Sequence, residues 1–130
     1  MSMNDTLANA MSQMLNAERI GRTECTIKNV SKIIEIIISI LKENEFIGDY
    51  ELTNNVKGKF ITVKLLGKIN KCGAIKPRFP VKLDEYKKFE KRYLPASDFG
   101  VMIVSTSKGI MIHNRAIDQK LGGKLIAYCY

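Results

Sequence analysis

The sequence predicts an α+β fold: an N-terminal α/β module (helix, strand, helix, hairpin) packed on a β-rich C-terminal module with short helices. Three observations predict it. Apolar residues recur at helical spacing over residues 7–15 and again over 34–41. Residues 61–65 alternate apolar and polar, as a half-buried strand does. An unbroken apolar run, Phe99-Gly-Val-Met-Ile-Val104, then opens a last third rich in glycine and β-branched residues. The boundary between the modules is expected at 66/67, giving 1–66 and 67–130.

Asp5 or Thr6 can cap the first helix, in which Leu7, Met11, Met14 and Leu15 make the apolar stripe, ending before Gly21. Thr23 to Ile27 is short and β-branched and reads as a strand. Ser31 can cap a helix through Leu41, with Asn44 as its end. The isoleucines there would also suit a buried strand. Ile34, Ile37, Ile38 and Leu41 nevertheless fall on one helical face, and the segment exceeds strand length. Strands Phe46–Leu52 and Lys59–Leu66 follow, with Asn54-Asn55 and Gly58 in the turn between them. The two helices are expected to cover the faces of this sheet.

Gly67 to Pro80 reads as a strand end and an exposed loop, since Pro77 and Pro80 forbid a continuing helix. Asp84 can cap a short helix with Tyr86, Phe89 and Tyr93 as its buried stripe. Phe89 and Tyr93, four apart, suit the core better than a base-stacking role. After the strand Phe99–Val104 come a hydroxyl-rich corner, a helix-like stretch from Asn114 to Leu121, a break at Gly122-Gly123, and a final strand Lys124–Tyr130.

Charge narrows the partners. The 130 residues carry a net +8, and 56–95 alone carry +9, with twelve Lys and Arg against Asp84, Glu85 and Glu90. Excess confined to the middle third describes a directed surface and biases partners toward polyanions. A solvated basic face with no partner is the plainer alternative. Cys25, Cys72 and Cys129 are odd in number and widely spaced, which argues against a disulfide framework and suits a reducing compartment. One histidine, His113, leaves little for a metal site, so no metal and no cofactor are expected. The start lacks the basic and apolar regions of a signal peptide, and the isoleucine run is too short to span a bilayer, so no membrane is expected.

The most specific segment is Ser105-Thr106-Ser107-Lys108-Gly109. Three hydroxyls at a strand-to-turn corner each donate and accept hydrogen bonds, and Gly109 permits a sharp turn and a close backbone approach. Such a group can cap a helix, bind a phosphate, or read base edges and ribose hydroxyls. It can equally satisfy its own turn. The spacing is not that of a phosphate-cradling nucleotide loop.

Gly100-Val-Met-Ile-Val-Ser-Thr-Ser-Lys-Gly-Ile-Met-Ile-His-Asn-Arg-Ala116 resembles the signature of the ribosomal protein S-eight family: Gly, apolar residues, Ser-Thr-x-x-Gly, two apolar residues, and Ala five residues later. Gly122-Gly123 before an apolar, Tyr-containing end is similar to that family's C-terminus, and Asp5-Thr-Leu-Ala-Asn-Ala10 to its opening helix. Asn70-Lys-Cys-Gly-Ala-Ile-Lys-Pro-Arg-Phe79, with Leu94-Pro-Ala96, resembles the archaeal and eukaryotic branch. One stretch departs from that branch: Asn114-Arg115 follows His113 where acidic residues are usual. His113 is therefore expected to be an ordinary exposed or helix-start residue, with no carboxylate partner for nucleophilic catalysis.

The resemblance implies a structural constituent of the small ribosomal subunit and not an enzyme. It would be a primary binder of small-subunit ribosomal RNA, at a central-domain helix with an irregular core, supporting subunit assembly. Ser105, Thr106 and Ser107 carry over onto the minor-groove contact, with Lys108, Gly109, Gly122 and Gly123 beside them. Thr6, Asn9, Asn16 and Lys32 match where the family's opening helices face RNA. Among the basic residues of the middle third, Lys71, Lys76 and Arg78 are the expected phosphate contacts. The implied partners are that RNA, neighbouring small-subunit proteins and the chain's own mRNA; the protein is expected to be cytoplasmic and a monomer off the ribosome. Two other classes compete. A nucleic-acid-modifying enzyme would need a histidine–carboxylate pair or metal cluster, and a shape-indifferent cationic RNA chaperone would need only the +9 segment.

Overall fold

The computed structural model describes residues 6–28, 30–56, 58–76, 78–96 and 99–130. The chain forms two compact units, Met1–Lys71 and Cys72–Tyr130.

The first unit runs α1 (Thr6–Ile20), β1 (Glu24–Lys28), α2 (Lys32–Glu43), β2 (Ile47–Asn55) and β3 (Gly58–Leu65). Its antiparallel sheet has the order β1-β3-β2. Ile34, Ile37 and Ile38 are each 1% exposed. That burial at i, i+3 and i+4 is helical, which decides α2 against a strand. Alternate residues Cys25, Ile27, Ile61, Val63 and Leu65 are buried with Leu7, Met11 and Met14 of α1, and α1 packs along β1 as α2 does along β2. Among the described residues of this unit, the two helices cover one face of the sheet and not both, contrary to expectation. Glu24, Thr26, Lys28 and Lys64 line the open face, because a three-stranded sheet with two helices on one side has nothing left for the other.

Several local readings shift. Thr6 is already helical and so is not a cap, and Asp5 lies outside the described residues. Ser31 stands at the N-cap of α2, but its hydroxyl makes no capping bond. Asn54 and Asn55 are strand residues, paired with Lys59 and Gly58, so the hairpin turn is tighter than expected. α1 and α2 end by the same device, a left-handed residue that lets the next N–H reach back to an orphan carbonyl. Gly21 (φ +88°) does this after α1, and Glu45 (φ +65°) after α2, where Phe46 N–H donates to the Leu41 carbonyl at 3.0 Å. Residues 67–69 are tied to α1, because the Glu18 carboxylate accepts the N–H groups of Gly67 and Ile69 at 3.1 Å.

The second unit runs β4 (Cys72–Ala74), β5 (Pro80–Val81), a 3-10 turn (Leu83–Glu85), α3 (Tyr86–Tyr93), β6 (Val101–Thr106), β7 (Gly109–Ile112), α4 (His113–Asp118) and β8 (Gly123–Cys129). Its sheet has the order β4-β8-β6-β7, with β5 also on β8. The stretch read as an exposed loop is largely structured: Ile69, Cys72 and Ile75 are buried, and β4 pairs with the last strand. That pairing joins residues far apart in sequence, so local composition could not reveal it.

Asp84 lies inside the 3-10 turn and does not cap α3. Glu85 performs the closure instead, its carboxylate accepting the Lys82 N–H at 2.9 Å. Tyr86 and Phe89 are buried as expected, with Tyr93 half-buried. They join Met102, Val104, Met111, Ala116 and Leu125 in one core, and Tyr86 Oη donates to the Leu121 carbonyl at 2.8 Å. The strand predicted at Phe99–Val104 is displaced by two residues. Gly100 takes φ +97° and Phe99 forms an isolated bridge with Ala96, so the β6 pairing begins at Val101 and extends through Ser105 and Thr106.

Candidate nucleic-acid interface

The β6–β7 hairpin organises the hydroxyl triplet. Thr106 pairs with Gly109, leaving Ser107 and Lys108 as the two turn residues. Thr106 Oγ1 donates to the Gly109 carbonyl at 2.8 Å and accepts the Lys108 N–H at 3.1 Å. This hydroxyl therefore does what a turn hydroxyl does, fixing its own loop. Ser105 and Ser107 differ: both are exposed, and among the described residues neither hydroxyl has a hydrogen-bond partner. The triplet thus divides into one residue that shapes the turn and two that face solvent. Only Ser107 and Lys108 sit in the turn itself; Ser105 and Thr106 are strand residues and not corner residues.

The glycines have distinct causes. Gly109 has φ +120° and open space around it, so backbone conformation alone requires glycine. At Gly122 a Cβ would stand 2.8 Å from the Val81 carbonyl oxygen. At Gly123 it would land on the Ser105 carbonyl. Gly123 faces Thr106 across the β6–β8 pairing, so its missing side chain draws the last strand tight against the hairpin. The next pair along, Ser105 with Lys124, places an exposed cation beside an exposed hydroxyl. Lys124 was missed from sequence, because only the register of β8 on β6 reveals it.

The remaining expected residues are placed unit by unit. In the first, Asn9 and Asn16 are exposed on α1 and Thr6 is half-buried. Asn9 and Asn16 are seven residues apart, two turns, and so share one edge of the helix. Gln13 lies between them on that edge and also faces solvent; the i, i+4, i+7 spacing would have revealed it. Asn16 and Gln13 line an open groove of about 680 Å³ with Arg22, Thr26 and Lys28. Lys32 is exposed at the first position of α2. A cation there opposes the helix dipole by roughly 0.3–1 kcal/mol, an arrangement that an anion would relieve. Lys71 closes this unit, exposed. In the second unit Lys76 and Arg78 are exposed between β4 and β5.

His113 corrects an expectation. It does begin a helix, α4, but it is 0% exposed. Its Nδ1 accepts the Met102 N–H at 3.0 Å, which fixes the proton of the neutral ring on Nε2. Nε2 stands 3.8 Å from Glu90 Oε2, so a carboxylate partner exists after all. Both groups are buried, which gives the pair the position of a core tether. The fold brought Glu90 to His113 across 23 residues, a juxtaposition no local motif encodes.

Among the described residues no group of three or more His, Cys, Asp or Glu side chains could hold a metal ion. No described helix is long and apolar enough to cross a membrane. All three cysteines are buried and none forms a disulfide, and burial pushes the Cys25 thiol pKa up despite the lowering influence of Arg22.

A family model described as Ribosomal protein S8 matches residues 5–130, nearly the whole chain. The exposed serines, the close-packed glycines behind them and the basic middle third all lie inside that match. The chain belongs to the ribosomal protein S8 family, the small-subunit ribosomal proteins that bind ribosomal RNA.

Proposed function

We propose that this chain is a primary binder of the central domain of small-subunit ribosomal RNA, reading an irregular helix through its shallow minor groove with the Ser105 and Ser107 hydroxyls. The observation that carries this reading is the division within the triplet. Thr106 spends its hydroxyl on the turn, and the two serines beside it stay exposed with theirs available. Short hydroxyl side chains on a close backbone suit the wide minor groove of A-form RNA, where 2′-hydroxyls and base edges are displayed. Lys108 and Lys124 flank the serines as phosphate partners. Thr6, Asn9, Asn16 and Lys32 form a second contact set on the first unit, and Lys71, Lys76 and Arg78 supply sequence-independent attraction. The segment Asn70–Phe79 supports the archaeal and eukaryotic branch. The setting is the cytoplasmic ribosome: the protein acts as a monomer before assembly, supports subunit assembly, meets neighbouring ribosomal proteins, and binds its own mRNA where that mimics the site.

Hydroxyl-radical footprinting on the isolated central-domain RNA tests the reading, with an unrelated duplex of equal length as control. Protection concentrated at the irregular core, and absent from the control, is the expected result. Equal, diffuse protection of both RNAs would instead make the protein a shape-indifferent cationic chaperone.

A further inference from the structure

The end of the second unit away from the serines carries a run of aromatic rings that minor-groove recognition leaves unused. Phe99 and Tyr130 rings lie 6.3 Å apart, Tyr130 and Tyr128 6.4 Å, and Tyr128 and Tyr93 5.5 Å. The Arg92 guanidinium continues it, 5.6 Å from the Tyr93 ring and 4.9 Å from the Phe79 ring. The run grades from core to solvent: Phe89 is buried, Tyr93, Tyr128 and Tyr130 are half-buried, and Phe99 is 50% exposed.

The backbone is shaped to hold these rings. A Cβ on Gly73, the cross-strand partner of Tyr128, would come within 3.2 Å of the tyrosine ring. On Gly100 it would stand 2.6 Å from Tyr130 Cβ, and that glycine also needs φ +97°. A position in the middle of β4 and another just before β6 are therefore bare where Tyr128 and Tyr130 lie against them, and a core alone does not require an exposed phenylalanine at the outer end.

Charge favours one kind of occupant. Lys87, Lys88, Lys91 and Arg92 of α3 are all exposed or half-exposed, whereas Glu90, the acid within α3, is buried against His113. The solvent side of α3 is thus wholly cationic, and Arg92 joins it to the rings. Aromatic faces beside backbone-neutralising cations are the combination that binds unpaired nucleic acid, because every base has a face to stack and every nucleotide a phosphate. A hydrophobic peptide would gain nothing from four cations.

We propose that the Phe99–Tyr130–Tyr128 strip with α3 is a second RNA site, which stacks unpaired bases of a single-stranded segment. It is separate from the serine turn. Val101 pairs with Cys129 at one end of β6 and Thr106 with Gly123 at the other, and six strand residues span roughly 20 Å. The site therefore stands or falls independently of minor-groove reading.

The test uses the full chain and a short unstructured oligouridylate. The protein has five tyrosines and no tryptophan, so stacking should quench tyrosine fluorescence, and 4-thiouridine crosslinks should map to Phe99, Tyr128 or Tyr130. Phe99→Ala and Tyr130→Ala should each weaken oligouridylate binding roughly five- to 150-fold, the range for losing one stacked base. Tyr130→Phe should retain it. Ser107→Ala should leave this binding unchanged, so a failed serine prediction and a failed strip give different results. Phe99 is half exposed, so Phe99→Ala keeps the test readable should Tyr130→Ala unfold. Undiminished binding by a folded Phe99→Ala variant, or crosslinks confined to lysines elsewhere, would overturn the proposal. So would capture of a ribosomal protein partner at the strip with no oligouridylate affinity.

Discussion

Thr106 Oγ1 donates to the carbonyl of Gly109 across the β6–β7 turn, at 2.8 Å, while the hydroxyls on either side of it stay exposed. Residues adjacent in sequence and alike in chemistry therefore have different surroundings, one hydroxyl held in the turn and two facing solvent.

Thr106→Val keeps the β-branched shape and removes both turn bonds. It should lower stability by about 1–2 kcal/mol, two hydrogen bonds of ordinary net worth, one of them partly replaced by water. Ser107→Ala should leave the melting temperature unchanged and weaken binding to the central-domain RNA by about 1–3 kcal/mol, since a buried partner group on the RNA would lose its bond. Its binding to a plain duplex should not change, because phosphate contacts dominate there. Thermal melts with affinities for both RNAs decide it. An unchanged affinity ratio in folded Ser107→Ala would remove that serine from the interface.

Lys76→Ala and Arg78→Ala should behave oppositely. Each loses attraction without losing shape recognition, so affinity for both RNAs should fall by similar factors. The slope of log affinity against log salt should flatten by about 0.7–0.9 for each phosphate that is no longer neutralised. A titration series in rising salt measures this, and a slope that does not move would show that these cations meet something other than RNA.

The glycines should rank by cause. Gly109→Ala is strained by φ +120° alone, and the space around it is open, so about 1–3 kcal/mol is expected. Gly123→Ala drives a methyl into the Ser105 carbonyl and must part β8 from β6, so it should cost more than Gly109→Ala and alter the serine turn too. Chemical denaturation ranks the two.

Glu45 is the converse case. It is held at φ +65°, where a side chain costs roughly 1 kcal/mol relative to glycine. Glu45→Gly should raise the denaturation midpoint by a corresponding amount, and no change in RNA affinity should accompany it.

His113→Leu tests the core tether. Filling the same volume with an apolar side chain leaves the buried Met102 N–H without its acceptor and Glu90 without its neighbour. About 1–3 kcal/mol should be lost. A melting temperature equal to the parent's would show that the ring only fills space.

Much of this molecule is legible in the chain alone. The stripe Leu7, Met11, Met14 and the face Ile34, Ile37, Ile38 are readable because helical burial repeats within a few residues, and local spacing records it. The alternation of Ile61, Val63 and the breaks at Gly21 and Gly122 are readable for the same reason. The charge of the middle third biased partners toward polyanions, and the resemblance of the serine-rich segment to a family signature implied RNA, since composition and motif are properties of the chain itself.

Only the tertiary structure decided the rest, and each case turns on contacts between residues distant in sequence. β4 was hidden inside an apparent loop because its partner, β8, is the last strand. Glu90 reached His113, and Lys124 reached Ser105, only when helix and strand registers were set. Whether Thr106 or Ser107 would hold the turn depended on one residue of register in the β6–β7 pairing, and a single-residue slip reverses which face each side chain takes. Sequence could say that three hydroxyls stood together; pairing geometry decided which of them remain exposed.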